Sequence, residues 1–316
     1  MLYTAILVSM LLAIQIVPSL ESVGDYSLDY RYCLSNCLQK SCSDVSPIRA
    51  TLPWHLHVFL WTCSDDCRYT CMHEVTTEDV KLGRPIRQFY GKWPFVRLLG
   101  IQEPASVLFS VLNLVTHLHS FSKFHQNAPG DYPFLWIVRL CPLIASNTWV
   151  WSVVFHSRDT RWTERLDYFS GTLLVVYMMI LQFVRITGPS ARPWQYIYAT
   201  IILLLYCTHI GYLSLVHFDY GYNMAVNVVA GGFCTAVWSI WCIKNYRERR
   251  YLWKCMVSVV CNSLFILLEL LDFPPFLWTF DAHSLWHMST IPLPYLWYGF
   301  LLDDALFGRV KTLKAI

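Results

Sequence analysis

Ser152 and His156 lie four residues apart, and so do His283 and His287. On a helix, residues i and i+4 share one face, about one turn apart. Asp167 follows His156 by eleven residues. Three histidines are a usual catalytic zinc set, with a fourth position left open for a water whose pKa falls to about 7. His156, His283 and His287 are therefore the expected ligands, and Zn2+ the expected cofactor. Asp167 would orient a ligand or take the water's proton. Ser152 would hydrogen-bond the water or the developing oxyanion. Ser152 next to His156 also raises a serine nucleophile, but no G-x-S-x-G elbow surrounds it, so zinc ranks higher. His55, His57, His117, His119, His209 and His217 stand in no such arrangement and carry no assigned role.

The elements that must position these residues follow from composition. The chain has 316 residues and a net charge of +3; 55% are hydrophobic and only 14% charged. A soluble domain averages about 25% charged residues, so an ordinary soluble enzyme and a disordered chain are both disfavoured. The charge is too small to indicate a nucleic-acid binder. What remains is a polytopic, all-α membrane protein.

Residues 5–17 form an apolar run too short for a span, which needs about 20 residues. Pro18 ends it, and Ser22 and Gly24 suit the positions before a signal-peptidase cut. Residues 1–24 thus read as a signal peptide, with an uncleaved anchor as the alternative. Residues 25–97 read as a Cys-rich luminal domain holding Cys33, Cys37, Cys42, Cys63, Cys67 and Cys71. Six cysteines in an oxidising compartment read as a disulfide framework, with about 15 possible pairings left open. The spacings do not match paired C-x2-C zinc knuckles.

From residue 104 onward, apolar stretches predict seven transmembrane helices: 104–121, 133–156, 167–187, 194–216, 222–243, 253–272 and 282–302. The seven-helix domain covers 98–303 and a cytoplasmic tail 304–316. With the Cys-rich segment outside, the inner loops and tail carry nine Lys and Arg residues, and the outer loops only Arg158, Arg161 and Arg165. This bias puts the N-terminus in the lumen and the C-terminus in the cytosol. The same topology puts Ser152, His156, Asp167, His283 and His287 at one depth, near the luminal face, on three different helices. A lone HxxxH is more often structural than metal-binding; a third His and an Asp in the same layer strengthen the metal reading. A zinc hydrolase at the acyl-chain boundary points to lipid ester or amide hydrolysis. Glu269 and Asp272, near the luminal end of the sixth span, read chiefly as interhelical hydrogen-bonding groups, with cavity lining or Arg pairing as alternatives.

S-x3-H, an Asp eleven residues on, and a late HxxxH resemble the membrane hydrolase superfamily of alkaline ceramidases and progestin/adipoQ receptors. Longer stretches resemble the post-GPI-attachment-to-proteins factor 3 family within it. They are WTCSDDCRYTCM (61–72), GKWPFVRLLGIQEPAS (91–106), NTWVWSVVFHSRDT (147–160), FDYGYN (218–223), ELLDFPP (269–275) and DAHSLWHMSTIP (281–292). The resemblance implies zinc ligation by His156, His283 and His287, with Ser152 and Asp167 assisting. It implies a phospholipase A2-type hydrolase that removes the unsaturated sn-2 acyl chain from the phosphatidylinositol of GPI-anchored proteins, in the Golgi or the endoplasmic reticulum. The acidic N-terminal cluster that holds calcium in the ceramidase branch is not apparent. A ceramidase-like amide hydrolase and a seven-helix lipid receptor without catalysis are the competing expectations; no inverted repeat supports a transporter.

Overall fold

The computed structural model describes residues 23–42 and 52–313. Nearly all of the leader read over 1–24, and the last residues of the tail, lie outside them. Gly24, placed at the leader's end, is buried in the folded head: its N–H donates to the Gln88 carbonyl (3.1 Å). A Cβ at Gly24 would meet that carbonyl at 2.4 Å, so only glycine fits.

The head is an antiparallel helical hairpin of α1 (Leu28–Ser41) and α2 (Cys63–Lys81). Its six cysteines form three nested disulfides: Cys33–Cys71, Cys37–Cys67 and Cys42–Cys63. Cys63, Cys67 and Cys71 repeat every four residues and so make one stripe on α2. Each step down α1 is matched by one step back along α2, which is what antiparallel packing requires. Thr62 and Asp65 start α2 with a reciprocal capping box. Among the described residues, the apolar cluster beneath the ladder is small: Tyr30, Val75 and Phe89 are buried around Cys71, with Leu34 and Met72 packed against them. A core that small needs covalent help.

The rest is helical: α3 (Pro104–Asn127), α4 (Cys141–Ser157), α5 (Arg161–Thr187), α6 (Arg192–Leu215), α7 (Tyr220–Asn245), α8 (Leu252–Leu271), α9 (Ala282–Thr290) and α10 (Leu293–Leu313). Helices α3, α4, α5, α7, α8 and the α9–α10 pair pack in a closed ring, while α6 leans on α5 from outside. Trp238, Trp297, Phe300 and Tyr298 are buried together within it. Among the described residues, five segments are long and apolar enough to cross a membrane: Leu135–Ser157, Arg161–Thr187, Pro189–Leu215, Tyr220–Asn245 and Leu252–Glu269.

Two of the seven expected spans differ from these five. The first, α3, is long, but Ser106, Ser110, Asn113, Thr116 and Ser120 are buried along it and lower its overall hydropathy. The seventh is not one helix. It breaks between α9 and α10, where Pro292 and Pro294 lack the N–H that a continuous helix needs. The third span also starts earlier than its apolar stretch, at Arg161. Thr160 caps it there, so Asp167 lies well inside α5 rather than at its first residue.

The head sits on one end of the ring. Gln88 Nε2 and Trp93 Nε1 donate to the Asp272 carboxylate (2.9 and 2.8 Å). Arg158 Nη2 donates to Asp65 (2.8 Å), and the Val96 N–H to the Trp278 carbonyl (3.0 Å).

Candidate metal centre

The end of the ring under the head is where α4 ends, α9 begins and α3 begins. His156 lies in the last turn of α4, and His283 and His287 lie on successive turns of α9. The Asp281 capping box starts α9 two residues before His283 and fixes its rotation. Asn113 of α3 donates to the His287 carbonyl (2.8 Å) and accepts from Thr290 (3.2 Å), which holds α9 against α3.

The three rings converge through Nε2. His283 Nε2 is 3.2 Å from His156 Nε2 and 2.9 Å from His287 Nε2. Ligand atoms from the three histidines all lie within 4.8 Å of one another. Two nitrogens bound tetrahedrally to one zinc at 2.0–2.1 Å stand about 3.3 Å apart. The cluster is close to that spacing.

Each ring's other nitrogen is engaged. His156 Nδ1 meets Glu103 Oε2 (2.7 Å), His283 Nδ1 meets Glu269 Oε2 (2.5 Å), and His287 Nδ1 meets Ser110 Oγ (3.0 Å). Ser110 also bonds the Ser106 carbonyl (2.7 Å), which can only accept, so the Ser110 proton goes there. Its oxygen then accepts from His287 Nδ1–H and from the Ser152 hydroxyl (3.0 Å). Glu103 and Glu269 are acceptors as carboxylates. All three imidazoles therefore carry a proton on Nδ1, which leaves each inward-facing Nε2 available to offer its lone pair to a metal. That is the tautomer a metal needs, held by outer partners as metal-binding histidines usually are. The donor set fits zinc.

Glu103 precedes α3 and is buried. Lys92, from the turn joining head to bundle, pairs with Glu103 and with Asp159 (Nζ to Oδ2, 3.3 Å). Burial alone would raise the Glu103 carboxyl, but the Lys92 ammonium and His156 together hold it well below the usual carboxylate range. Burial likewise disfavours the Lys92 charge, and Glu103 and Asp159 more than restore it. The head thus reaches the cluster through one ion pair.

Of the residues singled out from sequence, His156, His283, His287 and Ser152 are joined in one network. Asp167 is not hydrogen-bonded into it. Its carboxylate makes no hydrogen bond among the described residues, though it lies within electrostatic reach of His156 and His283. Glu103, Lys92, Ser110 and Asn113 escaped sequence reasoning. Glu103 had a signal: the predicted topology starts the first span at the depth of His156, and a ligand histidine there needs an acceptor. Glu269 bonds His283 and accepts from Tyr220 (2.7 Å), so it is an interhelical group as expected and also the Nδ1 partner of a cluster histidine. Asp272 binds the head instead.

An all-helical bundle with apolar membrane-length segments, a disulfide-laddered head and an inward-facing tri-histidine cluster defines a membrane protein built around a buried metal-type centre. The chain belongs to the Per1-like family, which matches residues 53–305. It is 41% identical over 288 residues to the GPI-specific phospholipase A2-like PGAP3 of Mus musculus, covering 90% of each chain. It is 38% identical over 288 residues to the Homo sapiens protein of the same description, again covering 90% of each. It is 37% identical over 317 residues to the post-GPI attachment to proteins factor 3 of Drosophila melanogaster, covering 97% of this chain and 96% of the other. No solved structure matches the chain.

Proposed function

We propose that this chain remodels GPI anchors as a zinc-dependent phospholipase A2-type hydrolase. It would remove the unsaturated sn-2 acyl chain from the phosphatidylinositol of GPI-anchored proteins. The observation that carries this reading is the convergence of three Nε2 lone pairs, each backed at Nδ1, in a membrane protein whose relatives are described as GPI-specific phospholipase A2-like. An amide-cleaving ceramidase activity has no comparable support.

His156, His283 and His287 would hold the zinc. Zinc in that position would supply a Lewis acid and a nucleophile made from water at neutral pH. The protein's own groups supply the rest. Glu103, Glu269 and Ser110 already serve the three imidazoles, which leaves Asp167 for proton transfer. Its carboxylate makes no hydrogen bond among the described residues, and it would take a proton from the attacking water and return one to the departing glycerol oxygen. Ser152 directs its proton to Ser110, so its oxygen would accept a hydrogen bond and align the water. Releasing a fatty acid and a lyso-anchor adds one water and needs no other co-reactant.

The seven-span topology also belongs to this reading. The polar residues of α3 face inward while Leu108, Val111 and Val115 face out, so α3 suits a place in the ring against lipid. The α9–α10 pair would form the seventh crossing. With the nine-to-three charge bias, the head and the cluster face the lumen of the Golgi, with the endoplasmic reticulum as the alternative compartment. That is the side on which GPI-anchored proteins are displayed.

Two experiments check this. Purified protein stripped with a chelator should release no unsaturated fatty acid from a GPI-anchored protein, and added zinc should restore release. Release that survives complete zinc removal would overturn the metal assignment. Glu103→Gln should weaken zinc binding about 10–100-fold in a competition titration, because the amide carries no charge to hold the His156 Nδ1 proton, which lowers the basicity of His156 and leaves Lys92 with Asp159 alone. Unchanged affinity would remove Glu103 from the centre.

A further inference from the structure

Among the described residues, six that are not glycine adopt left-handed backbone angles: Leu60, Tyr90, Leu99, Asp272, Leu277 and Trp278. Side chains with a Cβ disfavour this region, and turns that need it usually use Asn, Asp or Gly. Tyr90 and Asp272 are anchored by their side chains, to Tyr30 and to Gln88 and Trp93. Trp278 is half-buried beside α2 and Val96. Leu60, Leu99 and Leu277 are different. They are 80%, 69% and 67% exposed, so each combines an unfavourable backbone with an apolar side chain turned outward.

These three turns are linked. The Trp61 indole N–H donates to the Gly100 carbonyl (2.8 Å), which ties the Leu60 turn to the Leu99 turn. Val96 donates to the Trp278 carbonyl (3.0 Å), which ties the Leu277 turn to the same segment. Gly100 has φ +91°, and a Cβ there would meet the His55 carbonyl at 2.7 Å, so the first junction is tight. Both later turns feed the centre directly: 98–101 runs into Glu103, and 276–280 runs into Asp281 and α9.

The apolar surface does not stop at the turns. Leu98 and Leu99 lead into the outward face of α3 at Leu108 and Val111. Leu264, Leu267 and Leu271 on the outward face of α8 lead to Phe276 and Leu277. A surface continuous with lipid-facing helices is covered by the same solvent.

We propose that the Leu60, Leu99 and Leu277 turns form a collar that inserts into the acyl-chain region of the leaflet on the head's side. The strained backbone is retained because it aims apolar side chains at lipid. The collar would hold the histidine cluster at the depth where acyl chains meet the glycerol backbone. The proposal rests on the bundle lying in a bilayer and not on its being a hydrolase, so the two can fail separately.

The test uses the full-length protein in nanodiscs of phosphatidylcholine carrying a diazirine on the acyl chain. After illumination, lipid adducts are mapped by peptide mass spectrometry. Adducts at 58–60, 98–99 and 276–277, at yields like those on the outward face of α3 and above those at the charged Glu78–Lys81 segment, are expected. Labelled helices beside unlabelled turns would overturn the proposal and leave the turns to a protein partner or a second copy. The triple variant Leu60→Asn, Leu99→Asn, Leu277→Asn places a residue that favours this backbone at each tip. It should keep its thermal midpoint while its adducts at the turns fall to the Glu78–Lys81 level. Undiminished labelling of those turns in the triple variant would also overturn the proposal.

Discussion

On the proposed function, GPI-anchored proteins should keep their unsaturated sn-2 chain when His283 is replaced by alanine. His283 is the central ring of the cluster, with Nε2 contacts to both other histidines. In the proposed centre its loss would remove a zinc ligand rather than an outer partner. Outer partners cost about 10–100-fold when lost, so the ligand should cost more, enough to bring remodelling to background. The fold should survive, because the stranded Glu269 still accepts from Tyr220. The measurement is mass spectrometry of anchor acyl chains in cells lacking the protein and given wild type or His283→Ala at equal expression. The purified variant should also lose bound zinc. Glu269→Gln should fall between the two, because its amide oxygen still accepts from His283 without the charge. Full remodelling by His283→Ala would end the assignment of His283 as an essential ligand and leave an adaptor or a receptor as the better account.

The ligand candidates were legible because their spacing and their topology are independent signals. HxxxH stacks two rings on one helix face, and counting spans from the head brings His156 to the same layer. The partners at Nδ1 were harder to see. Glu103 reads in sequence as an ordinary acid ahead of a helix, and Ser110 as one of several small polar residues on α3. Their role depends on which face of α3 turns inward, which only packing decides. The cysteine ladder shows a similar limit. The four-residue spacing of Cys63, Cys67 and Cys71 gives a stripe, but a ladder that slips by one rung has the same stripe. The final stretch shows where hydropathy misleads: residues 282–302 carry no Asp, Glu, Lys or Arg and read as one span, yet Pro292 and Pro294 divide them into α9 and α10. The break leaves α9 a short, separately capped helix dedicated to two of the three histidines.

The largest loss of stability should come from Asp304→Ala, far from the histidines. Asp304 is buried on α10 and collects four partners. Arg185 donates twice, through Nε and Nη2 (both 2.5 Å), Tyr132 and Tyr251 donate their hydroxyls (2.8 and 2.7 Å), and Arg249 lies 3.6 Å away. One carboxylate thereby joins α5, α10 and two connecting loops. Alanine would leave the Arg185 guanidinium buried between Trp241 and Phe134 with no counter-charge. Removing one partner of a buried pair costs about 3–5 kcal/mol. Asp304→Asn should do little better, because its amide N–H groups would face Arg185 donors. The paired change Arg185→Met with Asp304→Leu should recover much of the loss, since an apolar pair strands neither charge. Thermal unfolding in detergent measures all three. Arg185 lies eighteen residues along α5 from Asp167, about 27 Å at the rise of an α-helix. The folded fraction of Asp304→Ala should therefore bind zinc as wild type does, which separates this lock from the centre it supports. A double variant as unstable as the single one would show that Asp304 acts by its shape and hydrogen bonds rather than by neutralising Arg185.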